Sequence, residues 1–233
     1  MRWLKFFIAV MLLPACVGAT LCAWGLTHTI AFSTQRWMAP PVIAFAVGYG
    51  LWLGVFAFLP KPMRTYVFGH ELTHAIWALM MGARVSGIRV RKTGGQVRTS
   101  KTNWLITLAP YFFPFYAMLF IAAFFLAHVV WDLSRYFNAL FFLIGLSWSF
   151  HVTFTLMMLI GVRQPDVQSQ GWLFSLVTIY SMNLLVICIT VTLLSDSATF
   201  LMLMRSLGKN LVASYASTLD NILSLWQFVW RKP

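Results

Sequence analysis

Residues 41–81 read PVIAFAVGYGLWLGVFAFLPKPMRTYVFGHELTHAIWALMM. The part from 41 to 59 holds no charged residue and is long enough, at 1.5 Å per residue, to cross a hydrocarbon core of about 30 Å. Pro60-Lys61-Pro62 then stops the helix, because proline removes an amide donor and collides with the preceding turn. A second, less apolar helix is expected over 64–81, and it carries His70-Glu71-Leu72-Thr73-His74. An apolar helix beside a helix with polar chemistry sets the expectation for the whole chain. The fold class is an all-α multi-pass membrane protein with five to six membrane helices.

The chain of 233 residues repeats this pattern. It is 60% hydrophobic and 9% charged, where soluble domains run near ~25% charged. Disorder, collagen-like repeats and a disulfide scaffold are excluded on the same ground. Clear spans are predicted over 6–26, 41–59, 104–130, 136–161 and 172–194, with 64–81 spanning or entering partway. The first run follows Arg2 and Lys5 like a signal peptide, and Leu13-Pro14-Ala15-Cys16 loosely resembles a lipoprotein cleavage site. Its length predicts a retained helix instead. Gly50 and Gly54 form a GxxxG match, which allows close helix packing and is common by chance in apolar segments. A polar loop is expected around 33–36.

The one long polar stretch, 83–102, carries Arg84, Arg89, Arg91, Lys92, Arg98 and Lys101. Val85, Ile88, Val90 and Val97 are spaced as short strands, and Thr93-Gly94-Gly95 supplies a turn, so a β-hairpin is expected there. In the tail, Phe200, Met204, Leu207, Leu211, Tyr215, Leu219, Ile222 and Trp226 recur at helical steps, which predicts an amphipathic helix lying on the membrane or on a partner. Three regions result: two N-terminal membrane helices (1–60), a membrane core (61–195) and an amphipathic C-terminal helix (196–233). No soluble recognition domain is expected.

The net charge of +12 does not point to nucleic acid, because the bases are scattered between apolar runs rather than gathered on one face. Cationic loops of a membrane protein meet anionic headgroups and set orientation. Arg2 and Lys5 favour a cytoplasmic N-terminus. Cys16, Cys22 and Cys188 lie in apolar runs without metal-ligand spacing and read as buried thiols.

His70 and His74 lie four apart, on one face of a helix, so both imidazoles can bind one Zn²⁺. Glu71 stands one step round, placed to take a proton from a metal-activated water. This is peptide-bond hydrolysis chemistry, with Glu71 as the catalytic residue. A catalytic zinc needs a third protein ligand. A glutamate is impossible, since Glu71 is the only one, and the HExxHxxGxxH extension fails at Trp77 and Met80. An aspartate, His28, His128 or His151 remains. His128 and Asp132, one turn apart at the far end of their span, are expected to form a local hydrogen bond.

An HExxH motif in a hydrophobic multi-span chain resembles the site-2 protease family of intramembrane zinc metalloproteases. The resemblance extends over about 64–195. A hairpin follows the HExxH helix, Leu108-Ala109-Pro110-Tyr111 is similar to the family's Gly-Pro turn with Ala in place of Gly, and Gln164-Pro165-Asp166 followed by Gly171 is similar to the motif that supplies its third ligand. The Asn and the Asp-Gly pair of that motif are missing. The resemblance implies Asp166 as third metal ligand with His70 and His74. Two spans separate the hairpin from this loop and return it to the hairpin's side. His151 is the rival, because His74 and His151 each lie ten residues from a helix end, about 15 Å deep.

The implied cofactor is Zn²⁺. The implied partners are a membrane-protein substrate cut in its transmembrane or juxtamembrane segment, the lipid bilayer and a regulatory membrane protein, with no nucleic acid. The location is an integral multi-pass one, the cell membrane for a prokaryotic source. The hairpin edge would take up unwound substrate by strand addition or rest on headgroups. A membrane scaffold that keeps a metal site without turnover is the main alternative, and a metal transporter the lesser one.

Overall fold

A computed structural model describes residues 2–31, 40–92, 94–161, 163–194 and 200–230. The loop expected around 33–36, Thr93, Asp196 and the side chain of His28 lie outside the described part. The chain divides into two units, Gln35–Gln170 and Met1–Thr34 with Gly171–Pro233.

The first unit contains α2 (Pro40–Phe58), α3 (Met63–Met80), the strands β1 (Val85–Arg91) and β2 (Gly94–Thr99), α4 (Trp104–Leu108), α5 (Phe115–Val130), α6 (Phe137–Gly161) and α7 (Pro165–Gln170). The second contains α1 (Arg2–Ala31), α8 (Trp172–Leu194) and α9 (Phe200–Trp230). Four helices are long and apolar enough to cross a membrane: Arg2–Leu26, Pro40–Phe58, Ser134–Gly161 and Trp172–Thr190. A fifth counts only if Trp104–Tyr111 and Phe115–Val130, bent by 85°, make one span together.

That bend divides the run expected as one span over 104–130, and it falls directly after the Leu108-Ala109-Pro110-Tyr111 turn. Asn103 caps α4, its side-chain oxygen accepting from the Ile106 amide at 2.8 Å, which satisfies one of the donors a helix start leaves open. Pro110 then lies within a single 3-10 turn, Ala109–Tyr111, and Pro114 is the N-cap of α5. Neither proline can donate into a continuing helix. The continuous apolarity of the run masks a sharp corner.

α3 stops in a Schellman arrangement: the Gly82 amide donates to the Leu79 carbonyl and the Ala83 amide to the Ala78 carbonyl. Gly82 stands at φ +70, the left-handed conformation such an ending needs and glycine adopts without strain. The chain turns directly into the hairpin, where β1 pairs antiparallel with β2 in the register Ile88↔Val97, Arg89↔Gln96, Val90↔Gly95. Because successive strand residues point to opposite faces, Val90 and Gly95 share the face turned to α3. Val90 packs against a buried cluster of Trp52, Tyr66, Val67, Phe150 and Phe154, contributed by α2, α3 and α6. Tyr66 stacks on Phe154, with ring centroids 4.7 Å apart, and the Trp52 Nε1–H donates to Thr153 at 2.9 Å.

The close approach of α2 to α6 does not use the GxxxG pair. A Cβ at Gly50 or Gly54 would meet nothing within 4 Å, whereas one at Gly48 would lie 3.0 Å from the Phe142 carbonyl carbon and one at Gly145 only 2.8 Å from that of Phe45. The contacting face of α2 runs through Phe45, Gly48 and Trp52; Gly50 and Gly54 stand elsewhere on the helix.

In the second unit α1 packs on α8 and α9. Thr20 bonds the Tyr180 hydroxyl at 2.8 Å and Cys16 the Ser181 hydroxyl at 3.2 Å, while Gly18 lets the α9 backbone at Asn210 come close. All three cysteines are free thiols, Cys22 and Cys188 being buried with Leu26 and Leu203. α9 buries Leu203 and Ser214 and exposes its C-terminal part.

Candidate metal centre

α3 sets the geometry. With 3.6 residues per turn, His70 and His74 stack along one side of the helix, their rings 4.8 Å apart and nearly perpendicular. Glu71 is buried beside them. The third participant comes from α7, whose Pro165 and Asp166 occupy the first turn. Gly171 at φ +94 ends this short helix, and Gln170 bonds Thr107 of α4 at 3.4 Å. The segment expected as a loop is therefore a helical turn fastened to α4.

Asp166 Oδ2 lies 3.3 Å from His70 Nε2 and 3.4 Å from His74 Nε2. Among the described residues these three form the group able to hold a metal ion, with one ligand atom from each within 4.8 Å of the others. Zinc–nitrogen and zinc–oxygen bonds of about 2.0–2.1 Å place neighbouring ligands of a tetrahedron about 3.4 Å apart. The two measured separations match that edge.

Proton placement gives an independent test of the fit. His74 Nδ1 lies 2.8 Å from the Ile106 carbonyl oxygen. A carbonyl only accepts, so Nδ1 carries the proton. The Nε2 atom is then the one that faces Asp166. Burial pushes the Asp166 carboxyl up, but hydrogen bonds from the two imidazoles outweigh burial and hold it well below the usual carboxylate range. Either protons on the two Nε2 atoms or a cation would fill the space where they and Oδ2 converge. Such Nδ1-to-carbonyl bonds are what orient metal-binding imidazoles.

Three supporting groups escape the sequence reading. Tyr111, fully buried, donates to Asp166 Oδ2 at 3.2 Å and reaches Gln164 Oε1 at 3.3 Å; its ring stands edge-on to His70 at 5.3 Å. The Tyr66 hydroxyl lies 3.4 Å from His70 Nδ1. The Ile106 carbonyl is the third. Tyr66 sits four residues before His70, so its place on the same helix face was readable; the other two depend on tertiary folding. Gly95 was read only as a turn residue, yet a Cβ there would stand 2.7 Å from the Glu71 carboxyl carbon.

The group opens on a cavity of about 530 Å³ whose wall includes His70, Glu71, Gly95, Gln96, Arg163 and Asp166. His151 does not join it. That side chain lines a separate small cavity with Ser147 and Tyr116, against Gly69 and Thr73 of α3. His128 and Asp132 are also elsewhere and do not bond each other. His128 Nδ1 accepts from the Leu133 amide at 3.0 Å, and Asp132 accepts from the Ser134 amide and hydroxyl.

No protein-family model, curated protein or solved structure matches the chain. The class that fold and site define is a helical protein with four or five helices of membrane-crossing length and a His-His-Asp group able to hold a metal ion.

Proposed function

We propose that this chain is an integral multi-pass zinc metalloprotease, similar to the site-2 proteases, that hydrolyses peptide bonds in transmembrane or juxtamembrane segments of membrane proteins. The observation that carries the reading is the convergence of His70, His74 and Asp166, with Asp166 Oδ2 3.3 and 3.4 Å from the two Nε2 atoms and Glu71 beside them on one cavity wall. The apolar helices support the membrane setting, where ionisable groups are costly and retained for function.

His70 Nε2, His74 Nε2 and Asp166 Oδ2 would hold the ion. The chemistry supplied by bound Zn²⁺ is Lewis acidity, which brings the pKa of an attacking water toward ~7 and polarises the scissile carbonyl. Glu71 accepts the proton of that water and delivers it to the leaving amine. Tyr111 and the Ile106 carbonyl keep Asp166 and His74 aimed at one point. β2 contributes Gly94, Gly95, Gln96, Val97 and Thr99 to the cavity wall, and its open edge offers backbone donors and acceptors to an unwound substrate strand.

The test pairs metal content with cleavage. Purified protein should hold one zinc per chain and cut members of a library of single-span peptides in liposomes. Glu71→Gln should keep the zinc and lose cleavage on the order of 10²–10⁴-fold. Stoichiometric zinc with equal, background-level products from both proteins would assign the chain to the scaffold class. A protein without zinc would refute the metal centre itself.

A further inference from the structure

The hairpin register sorts its charges. Gly87↔Arg98, Arg89↔Gln96 and Arg91↔Gly94 are opposite pairs, and opposite residues share a face. Alternation therefore puts Arg89, Arg91 and Arg98, all the strand arginines, on one face. Ile88, Val90, Gly95 and Val97 occupy the other, where Val90 packs on the α3 cluster, Gly95 meets Glu71 and Ile88 stays exposed. All three arginines are exposed. Among the described residues none has an acidic partner: the ion pairs are those of His70 and His74 with Asp166, and Asp132 is bonded to Ser134.

A cationic face of this kind needs an anionic counterpart from outside the chain. None of the three arginines is on the cavity wall. Exposed large hydrophobics flank the hairpin in the chain, Leu79 and Met80 at the end of α3 and Trp104 at the start of α4. Guanidinium groups with exposed aliphatic and indole side chains in the flanking segments suit the boundary of an anionic bilayer, where the charges meet phosphates and the apolar groups enter the acyl region.

We infer that the outer face of the hairpin, through Arg89, Arg91 and Arg98, binds the headgroups of anionic phospholipids, which sets Glu71 one strand layer beneath the phosphate plane. This rests on the membrane setting proposed above but not on proteolysis.

The test uses the full chain in detergent, with dioctanoyl phosphatidylglycerol and dioctanoyl phosphatidylcholine as probes and native mass spectrometry as the readout. Wild type should prefer the glycerol lipid. Arg89→Gln/Arg91→Gln/Arg98→Gln should weaken that binding on the order of tenfold or more, since each base near an anionic surface contributes several-fold. The all-lysine variant at the same positions should keep it, which separates lost charge from lost folding. Arg135→Gln/Arg205→Gln/Lys209→Gln, equal in charge change, should also keep it. Equal binding of both lipids by wild type, undiminished glycerol-lipid binding by the hairpin glutamine variant or equal loss in the control variant would overturn the inference. So would displacement of the lipid by a lower concentration of single-stranded RNA. Lipid preference is read without catalysis, so a chain that binds lipid and cuts nothing would refute the protease reading alone.

Discussion

Gly95→Ala probes the site by adding a single methyl group. The backbone at Gly95 does not need glycine, since the positive φ of the turn belongs to Gly94. The new Cβ, however, would lie 2.6 Å from Glu71 Oε1 and 2.7 Å from its carboxyl carbon, where ordinary contact begins at 3.4 Å. Glu71 is buried and its Cγ is nearer still, so the side chain must retreat by about 1 Å or the hairpin must lift by a similar amount; a misplacement of that size lowers rate by about a hundredfold, equal to about 2.7 kcal/mol of barrier. His70, His74 and Asp166 are untouched by this methyl group. The expected phenotype is therefore full zinc occupancy with cleavage reduced about a hundredfold, read by metal analysis and by initial rates on the same preparation. Gly87→Ala is the internal control, because a Cβ there meets nothing within 4 Å and activity should hold. Wild-type rates from Gly95→Ala would refute the placement of Glu71 as proton carrier under the hairpin. Loss of zinc would refute the separation of Glu71 from the ion-holding group.

Asp166→Ala should abolish stoichiometric zinc while His151→Ala retains it, by metal analysis after desalting; the reverse result would move the third ligand to α6. Tyr111→Phe removes the hydroxyl that donates to Asp166 Oδ2 and should weaken zinc affinity about 10–100-fold with helicity unchanged, measured by competition with a chromogenic chelator; an unaltered affinity would make Tyr111 packing only. Gly145→Ala should destabilise the α2–α6 pair by about 1–3 kcal/mol through overpacking, whereas Gly50→Ala and Gly54→Ala should shift thermal unfolding in detergent little or upward, alanine being the better helix former by about 1 kcal/mol.

The parts of this fold legible in the sequence are those fixed by local rules. Run length and charge marked the apolar helices, and Pro60-Lys61-Pro62 separated α2 from α3. Valine spacing with Gly94-Gly95 marked the hairpin, and the four-residue step of His70 and His74 gave their shared face. Legibility ended where two segments had to meet. Glycine spacing does not reveal which helix face is packed, so the obvious pair at 50 and 54 misled while Gly48 and Gly145 made the contact. The turn at Pro110 was legible through the family resemblance, but average apolarity still joined 104–130 into one span. Asp166 was reachable only through chain topology and family resemblance, since nothing within the six residues of α7 distinguishes a ligand from a solvated acid. The Ile106 carbonyl has no side-chain identity to read at all.

Charge scarcity links these observations. With 17 Lys and Arg against 5 Asp and Glu, an acid has many potential cationic partners, yet Glu71 and Asp166 stand on the wall of one cavity and the ion pairs of Asp166 are with histidines. A buried Glu71 and a partly buried Asp166 on one cavity wall repel each other and lose hydration, a combination that compensating charge relieves. Arg163 on the same wall stands outside those ion pairs. A proton on each imidazole would compensate Asp166 but would fill the Nε2 positions that face it and leave Glu71 with nothing to activate. On the proposed reading, a divalent cation held by both Nε2 atoms and Oδ2 would compensate Asp166 and would leave Glu71 as the acid beside the cavity that is not a ligand. A single glutamate in the chain would then be enough, because the site would need one proton carrier and would take its anionic ligand from Asp166.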